Sequence, residues 1–249
     1  MADMNKKTAP IIAVCGKGGV GKTVFSALLA RALAAAGVQP LLLVDADPVG
    51  GLTSAIGERA VETLSGVRER VINAAKVGGV AAAAQAAEQL EYFVFKALIE
   101  REGYSLLAMG HNTNKGCFCP ANKLLRSAIE TLIGSFNGVI IDAEAGIEQI
   151  NRDVTGRVDR VIVVVDGSQR SLDTLRVITE MLGAENIAAV ANRAVIDSSV
   201  IPVGVEFLGV IPEDEELKQY DREGRPLWQL PETNAAVAAV RAIGNKLGV

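Results

Sequence analysis

The sequence predicts an α/β fold, a doubly wound and mostly parallel sheet with helices on both faces. Three observations predict it. Short, nearly unbroken apolar runs recur at 11–15, 41–44, 105–109, 138–141, 160–165, 187–191 and 205–210, as strands buried on both faces require. Segments of helical pattern separate most of them, at 24–36, 121–133, 171–182 and 234–246, and such alternation makes parallel crossovers. Acidic residues stand where strands finish, at Asp45, Asp47, Asp142 and Asp166, on the edge where a doubly wound sheet binds ligands.

The first strand, Ile11-Ile12-Ala13-Val14-Cys15, runs into Gly16-Lys17-Gly18-Gly19-Val20-Gly21-Lys22-Thr23, and an alanine- and leucine-rich helix follows until Gly37 stops it. Strand, glycine loop and helix stand in the order of a phosphate-binding loop. Its glycines let successive backbone N–H groups face one concavity, Lys22 brings a cation to the β- and γ-phosphates, and the Thr23 hydroxyl can ligate Mg²⁺. A nucleoside triphosphate with Mg²⁺ is the expected ligand.

The second strand, at 39–44, ends in Asp45-Ala46-Asp47-Pro48, with Gly50-Gly51 beyond it. Asp47 is assigned to the attacking water and Asp142 to the shell behind the magnesium. Asp45 is the remaining candidate at the metal, with capping of a helix or turn as the alternative; Asp166 reads as structural. The chain reads as one domain over 1–249 with a helical insertion at about 58–103. Within it, 81–100 reads as a helix with Leu90, Phe93, Val94, Ala97 and Leu98 on one side. A small subdomain, a partner surface and a long crossover all fit that insertion. Glu213-Asp214-Glu215-Glu216 reads as a solvated helix start, favoured by the positive helix terminus.

Composition narrows the class. With 249 residues, 49% hydrophobic and 22% charged, the chain can bury a sizeable core. A net charge of −4 argues against a nucleic acid as the main partner. No apolar run reaches membrane-spanning length, and the expectation is a soluble cytoplasmic protein without a membrane partner. The three cysteines, Cys15, Cys117 and Cys119, make no disulfide framework. Cys15 reads as core.

Cys117 and Cys119 are soft ligands suited to nickel or zinc, yet two thiolates leave a four-coordinate ion half satisfied. A two-fold dimer supplies the other two. Pro120 at the first helical position makes Cys119 the expected N-cap, where a helix terminus favours the thiolate. His111, six residues before Cys117, reads as an exposed loop residue rather than an auxiliary ligand.

Lys17 inside the glycine loop, with Asp45-Ala46-Asp47-Pro48 and Asp142-Ala143-Glu144-Ala145-Gly146, resembles the MinD/ParA class of dimerising ATPases with a deviant phosphate loop. The resemblance implies ATP as the nucleotide, a homodimer in which Lys17 reaches the partner's phosphates, and hydrolysis to ADP and phosphate coupled to dimer opening. A cation supplied in trans neutralises transition-state charge as an arginine finger does. Within that class, Gly116-Cys117-Phe118-Cys119-Pro120-Ala121-Asn122 and Asp142-Ala143-Glu144-Ala145-Gly146-Ile147-Glu148 are similar to the CooC-type nickel-insertion ATPases. Those mature carbon monoxide dehydrogenase and, in related members, acetyl-CoA synthase, which implies such an apo metalloenzyme as client and Ni²⁺ or Zn²⁺ as the metal.

The same resemblance implies that Asn192 contacts the adenine and that Pro212, in Ile211-Pro212-Glu213, lies beside it. Val24 departs from the class by replacing a second threonine, which leaves only its backbone N–H for the α-phosphate. Two other functions compete. A ParA- or MinD-like positioning ATPase needs a basic surface or a basic amphipathic terminal helix, and 234–249 offers only Arg241 and Lys246. A reductase like the nitrogenase iron protein would need Cys117 and Cys119 of two chains to supply all four cluster thiolates.

Overall fold

A computed structural model describes residues 9–111, 119–143 and 155–248. Eight strands form one sheet among these residues: β1 (Ile11–Cys15), β2 (Leu41–Asp45), β3 (Ile99–Arg101), β4 (Tyr104–Ala108), β5 (Gly138–Asp142), β6 (Arg160–Val165), β7 (Ile187–Asn192) and β8 (Glu206–Ile211). Their order is β3-β4-β2-β5-β1-β6-β7-β8. Every pairing is parallel except β3 with β4. The chain leaves β1 for β2 and β4, returns to insert β5 between β2 and β1, then crosses to β6 on the other side. That reversal beside β1 opens a crevice at the carboxyl ends of the strands.

The α-helices among the described residues are α1 (Lys22–Ala35), α2 (Gly51–Ala55), α3 (Leu64–Glu88), α4 (Leu90–Lys96), α5 (Cys119–Ile133), α6 (Gln169–Leu182), α7 (Glu215–Glu223) and α8 (Ala235–Lys246). Alternation along β1 divides them between two layers. Ile11, Ala13 and Cys15 join Val67 of α3, Val94 of α4, Ile129 of α5 and Leu175 of α6 in one core. Ile12 and Val14 join Leu28 of α1, Leu52 of α2, Tyr220 of α7 and Val240 of α8 in the other. Side chains that alternate across a strand must each find a cover, and helices on both faces provide it. The predicted doubly wound α/β class is therefore the observed one.

Caps explain several boundaries. Asn234 Oδ1 accepts from the N–H groups of Ala236 (3.0 Å) and Val237 (3.2 Å) at the start of α8, and Asp214 Oδ1 accepts from Leu217 N–H (2.8 Å) at the start of α7. Both are ordinary N-caps, and Glu215 and Glu216 occupy the first turn of α7, as the acidic start predicted.

The 58–103 segment differs from the predicted single helix over 81–100. Two helices, α3 and α4, fill most of it, and the chain then turns into β3 from Ile99. Alanine-rich sequence favours helix throughout, but β3 pairs with β4, and a three-residue edge strand shows too few positions for alternation to reveal. The predicted apolar side does face the core: Leu90, Val94 and Ala97 are buried there, with Phe93 and Leu98 packed against them. α5 begins at Cys119, one residue before the predicted first helical position at Pro120, a difference within the fraying of helix ends. Among the described residues no helix is long and apolar enough to cross a membrane.

Candidate nucleotide site

The loop after β1 is shaped by its neighbours. Gly16 has φ 140° and a Cβ there would collide with the Val164 carbonyl of β6; Gly21 has φ 93° and a Cβ there would collide with the Asn192 amide. Only glycine permits both the backbone conformation and the close approach. The loop thus lies directly on the ends of β6 and β7, and Lys22 and Thr23 follow it as the first residues of α1.

Lys22 is only 8% exposed. Its ammonium donates to the Lys17 carbonyl at 3.2 Å, which also receives Val20 N–H at 3.4 Å. Among the described residues it has no ion pair. A buried ammonium is costly unless an anion compensates it; the Lys22 charge acts on the Asp142 carboxyl, while its hydrogen bond goes to a neutral carbonyl. Lys17 itself is half-buried and near enough to Asp166 to help lower that carboxyl.

On the other side of Thr23 the charge is reversed. Asp45 and Asp142 are register partners at the ends of β2 and β5, 0% and 2% exposed. Asp142 Oδ2 accepts from the Thr23 hydroxyl at 2.7 Å and its Oδ1 from the Ser26 hydroxyl at 2.9 Å. Asp45 Oδ2 accepts from Thr53 N–H (2.7 Å) and Thr53 Oγ1 (2.6 Å), and Asp45 Oδ1 from Asp47 N–H (3.3 Å). Burial raises both carboxyls, Asp142 to about 6; the Asp45 charge adds to the rise at Asp142 and the Asp47 charge to that at Asp45. Two neighbouring buried carboxyls, each accepting from a hydroxyl, fit a hard divalent cation such as Mg²⁺.

Asp47 sits on the loop beyond β2, where its Oδ1 accepts from Val49 N–H at 2.8 Å. A methyl group on Gly51 would stand 3.2 Å from Asp47 Oδ2 and 3.5 Å from Thr23 Oγ1, so both side chains converge on one point. Asn192 ends β7 buried, its amide donating to the Val20 carbonyl at 2.7 Å. Pro212 is exposed just past Ile211, the register partner of Asn192. Val24 packs partly buried against the α1 layer.

Asp166 organises the turn into α6. Its carboxylate accepts from Ser168 N–H (3.0 Å) and Ser168 Oγ (2.6 Å), and these bonds, with lesser help from Lys17, lower it to about 2. Cys15 is buried in the core, where burial pushes its thiol up to about 12 and leaves it unreactive. His111 is exposed on the loop after β4. Cys117, assigned to the metal with Cys119, lies outside the described residues, and Cys119 is described only as the backbone start of α5. Among the described residues no group of three or more histidine, cysteine or acidic side chains is placed to hold a metal.

Three polar residues of the site were not predicted. Ser26 lies three residues after Thr23 on the same helical face, a spacing that could have revealed it. Thr53 follows Gly50-Gly51, and Arg193 follows Asn192; neither carries a sequence signal of its own. Arg193 Nη2 donates to the Gly19 carbonyl at 2.7 Å.

Comparison with known proteins agrees with this geometry. The family model of the CobQ/CobB/MinD/ParA nucleotide-binding domain matches residues 11–227. An uncharacterized ATP-binding protein of Methanocaldococcus jannaschii is 36% identical over 248 residues, 95% of this chain and 98% of that protein. The carbon monoxide dehydrogenase accessory protein CooC of Rhodospirillum rubrum is 32% identical, over 88% of this chain and 89% of that protein. The MinD cell division protein of Aquifex aeolicus shares the fold, with a TM-score of 0.70 at 24% identity, covering 96% of this chain and 97% of that one. The chain belongs to the CobQ/CobB/MinD/ParA family of nucleotide-binding domains.

Proposed function

We propose that this chain is an ATP-dependent metallochaperone. It binds ATP at residues 16–23, pairs as a homodimer, and hydrolyses ATP with water to ADP and phosphate. Hydrolysis reopens the dimer and releases Ni²⁺ or Zn²⁺ from Cys117 and Cys119 of both chains to an apo metalloenzyme, carbon monoxide dehydrogenase or acetyl-CoA synthase. The observation that carries the nucleotide chemistry is the buried Lys22 ammonium at the glycine loop, hydrogen-bonded to a neutral carbonyl. The likeness to CooC supports the metal cargo.

Each residue has a distinct task. Lys22 and the loop N–H groups bind the β- and γ-phosphates, with Val24 N–H at the α-phosphate and Asn192 and Pro212 toward the base. Mg²⁺ would be held through Thr23, with Asp142 behind the hydroxyl and Asp45 beside it, and it supplies charge neutralisation at the phosphates. Asp47 orients the attacking water. Lys17 reaches the partner's phosphates and stabilises charge as the bond to the γ-phosphate breaks.

A positioning ATPase of the ParA or MinD type is the second reading, favoured by the likeness to MinD. It needs a surface for membrane or DNA. The apolar side of α8 is spent on the core, since Val237, Val240 and Ile243 are buried with α1, and does not form a free amphipathic face. The two readings separate on metal content. With MgATP the wild type should retain one Ni²⁺ or Zn²⁺ per two chains and a Cys117→Ala/Cys119→Ala variant none, by elemental analysis after gel filtration. Equal metal in both would reject the chaperone, and ATP-dependent co-sedimentation with liposomes or DNA would install the alternative.

A further inference from the structure

We infer that Arg193 is a positioning residue for the phosphate loop, acting with Asn192 as a two-point clamp on the consecutive carbonyls of Gly19 and Val20. The inference rests on the nucleotide-binding reading above. It starts from a backbone anomaly: among the described residues Arg193 is the only non-glycine residue with positive φ, at 61°. A side chain with a Cβ is strained in that conformation, and such strain persists where surrounding structure requires it.

The requirement is geometric. β7 ends at Asn192, whose buried amide donates to the Val20 carbonyl at 2.7 Å. In an extended strand the next side chain would leave on the opposite face and could not reach the same loop. The left-handed turn at Arg193 re-aims it, and Nη2 donates to the Gly19 carbonyl at 2.7 Å. Arg193 N–H meanwhile donates to Ile211 O at 2.9 Å, so the turn is anchored on β8. Glu213, the carboxylate just past β8, pairs with Lys218 and also feels the Arg193 charge, while the Arg193 side-chain hydrogen bond goes to the loop.

The effect on the loop follows from peptide planarity. In a trans peptide the carbonyl and N–H point in opposite directions. Drawing Val20 O onto Asn192 turns Gly21 N–H away from β7, and drawing Gly19 O onto Arg193 does the same for Val20 N–H. Val20 N–H then converges with the Lys22 ammonium on the Lys17 carbonyl, gathering two donors of the kind a phosphate recruits. Arg193 thereby orients phosphate-binding N–H groups without itself being a loop residue.

The test separates this role from ordinary stabilisation by using glycine, which adopts φ near 60° without strain. Full-length wild type, Arg193→Gly, Arg193→Lys and Lys22→Ala are compared by calorimetric titration with MgATP and by thermal unfolding without nucleotide. Arg193→Gly should keep or raise the Tm yet weaken MgATP binding about tenfold, the loss of one charge-assisted hydrogen bond. Arg193→Lys, which restores a cationic donor, should recover part of that affinity. Wild-type affinity in Arg193→Gly would overturn the clamp. So would parallel losses of Tm and affinity that Arg193→Lys leaves unrepaired. If wild type does not bind MgATP, or Lys22→Ala binds it equally well, the nucleotide reading itself fails and the clamp with it. Tight wild-type binding, its loss in Lys22→Ala and unchanged binding in Arg193→Gly would remove the clamp alone.

Discussion

At Asp142 burial and function pull in opposite directions. The carboxyl is held at about 6 by burial first, against the hydroxyls of Thr23 and Ser26 that favour its charged form. An acid raised in the folded state keeps its proton after the unfolded chain has lost it, so stability from this group falls as pH rises from about 4 to about 6. Asp142→Asn stays neutral throughout. Without nucleotide or Mg²⁺, the stability of wild type relative to Asp142→Asn should therefore decline by on the order of 2 kcal/mol between pH 4 and pH 7, read from urea unfolding. A difference constant with pH would show that burial does not raise the Asp142 carboxyl. At this scale the chemistry bearing a motif was readable: Lys22, Thr23, Asp45, Asp47 and Asp142 all stand around the predicted loop. Thr53 and Arg193 were hidden, because a hydroxyl on a short helix and an arginine after a strand acquire meaning only from neighbours remote in sequence.

Among the elements, α5 has the most direct mechanical position, running from Cys119 at the carboxyl edge of the sheet back to the turn that enters β5 and hence Asp142. Its grip on the sheet is apolar: Leu125, Ala128, Ile129 and Ile133 are buried in the core beneath it. Ile129 is fully buried, and Ile129→Ala should cost about 2–4 kcal/mol through lost transfer energy and the cavity left behind. Urea denaturation measures it, and a loss under about 1 kcal/mol would mean that α5 is not packed on the sheet as described. Buried strands were legible because continuous apolar runs such as 161–165 admit few other readings. β3 was not, since two of its three residues are exposed and its existence depends on the neighbouring β4. The start of α3 at Leu64 was also missed; its first turn is tied by Thr63 Oγ1 accepting from Gly66 N–H (3.2 Å) and Ser65 N–H donating to Met109 O (2.9 Å), the second a tertiary contact that local pattern does not contain.

For the whole molecule, strand order decides what the site can do. Inserting β5 between β1 and β2 places Asp142 beside both Val14 and Asp45, so the phosphate loop and the acidic strand ends share one crevice. The class of fold was readable from alternating strands and helices, but nothing in a one-dimensional pattern specifies that β5 returns to the centre. On the proposed account this crevice senses the γ-phosphate while α5 links it to the cysteine pair, so nucleotide, pairing of chains and metal stabilise one another. The most direct measurement is a titration of the metal-free protein with Ni²⁺ or Zn²⁺, alone, with MgADP and with MgATP, following mass by light scattering and bound metal together. The account predicts a mass of two chains and one tightly held ion per pair with MgATP, and weaker pairing and metal retention with MgADP. A single-chain mass under every condition, or metal binding indifferent to nucleotide, would contradict it.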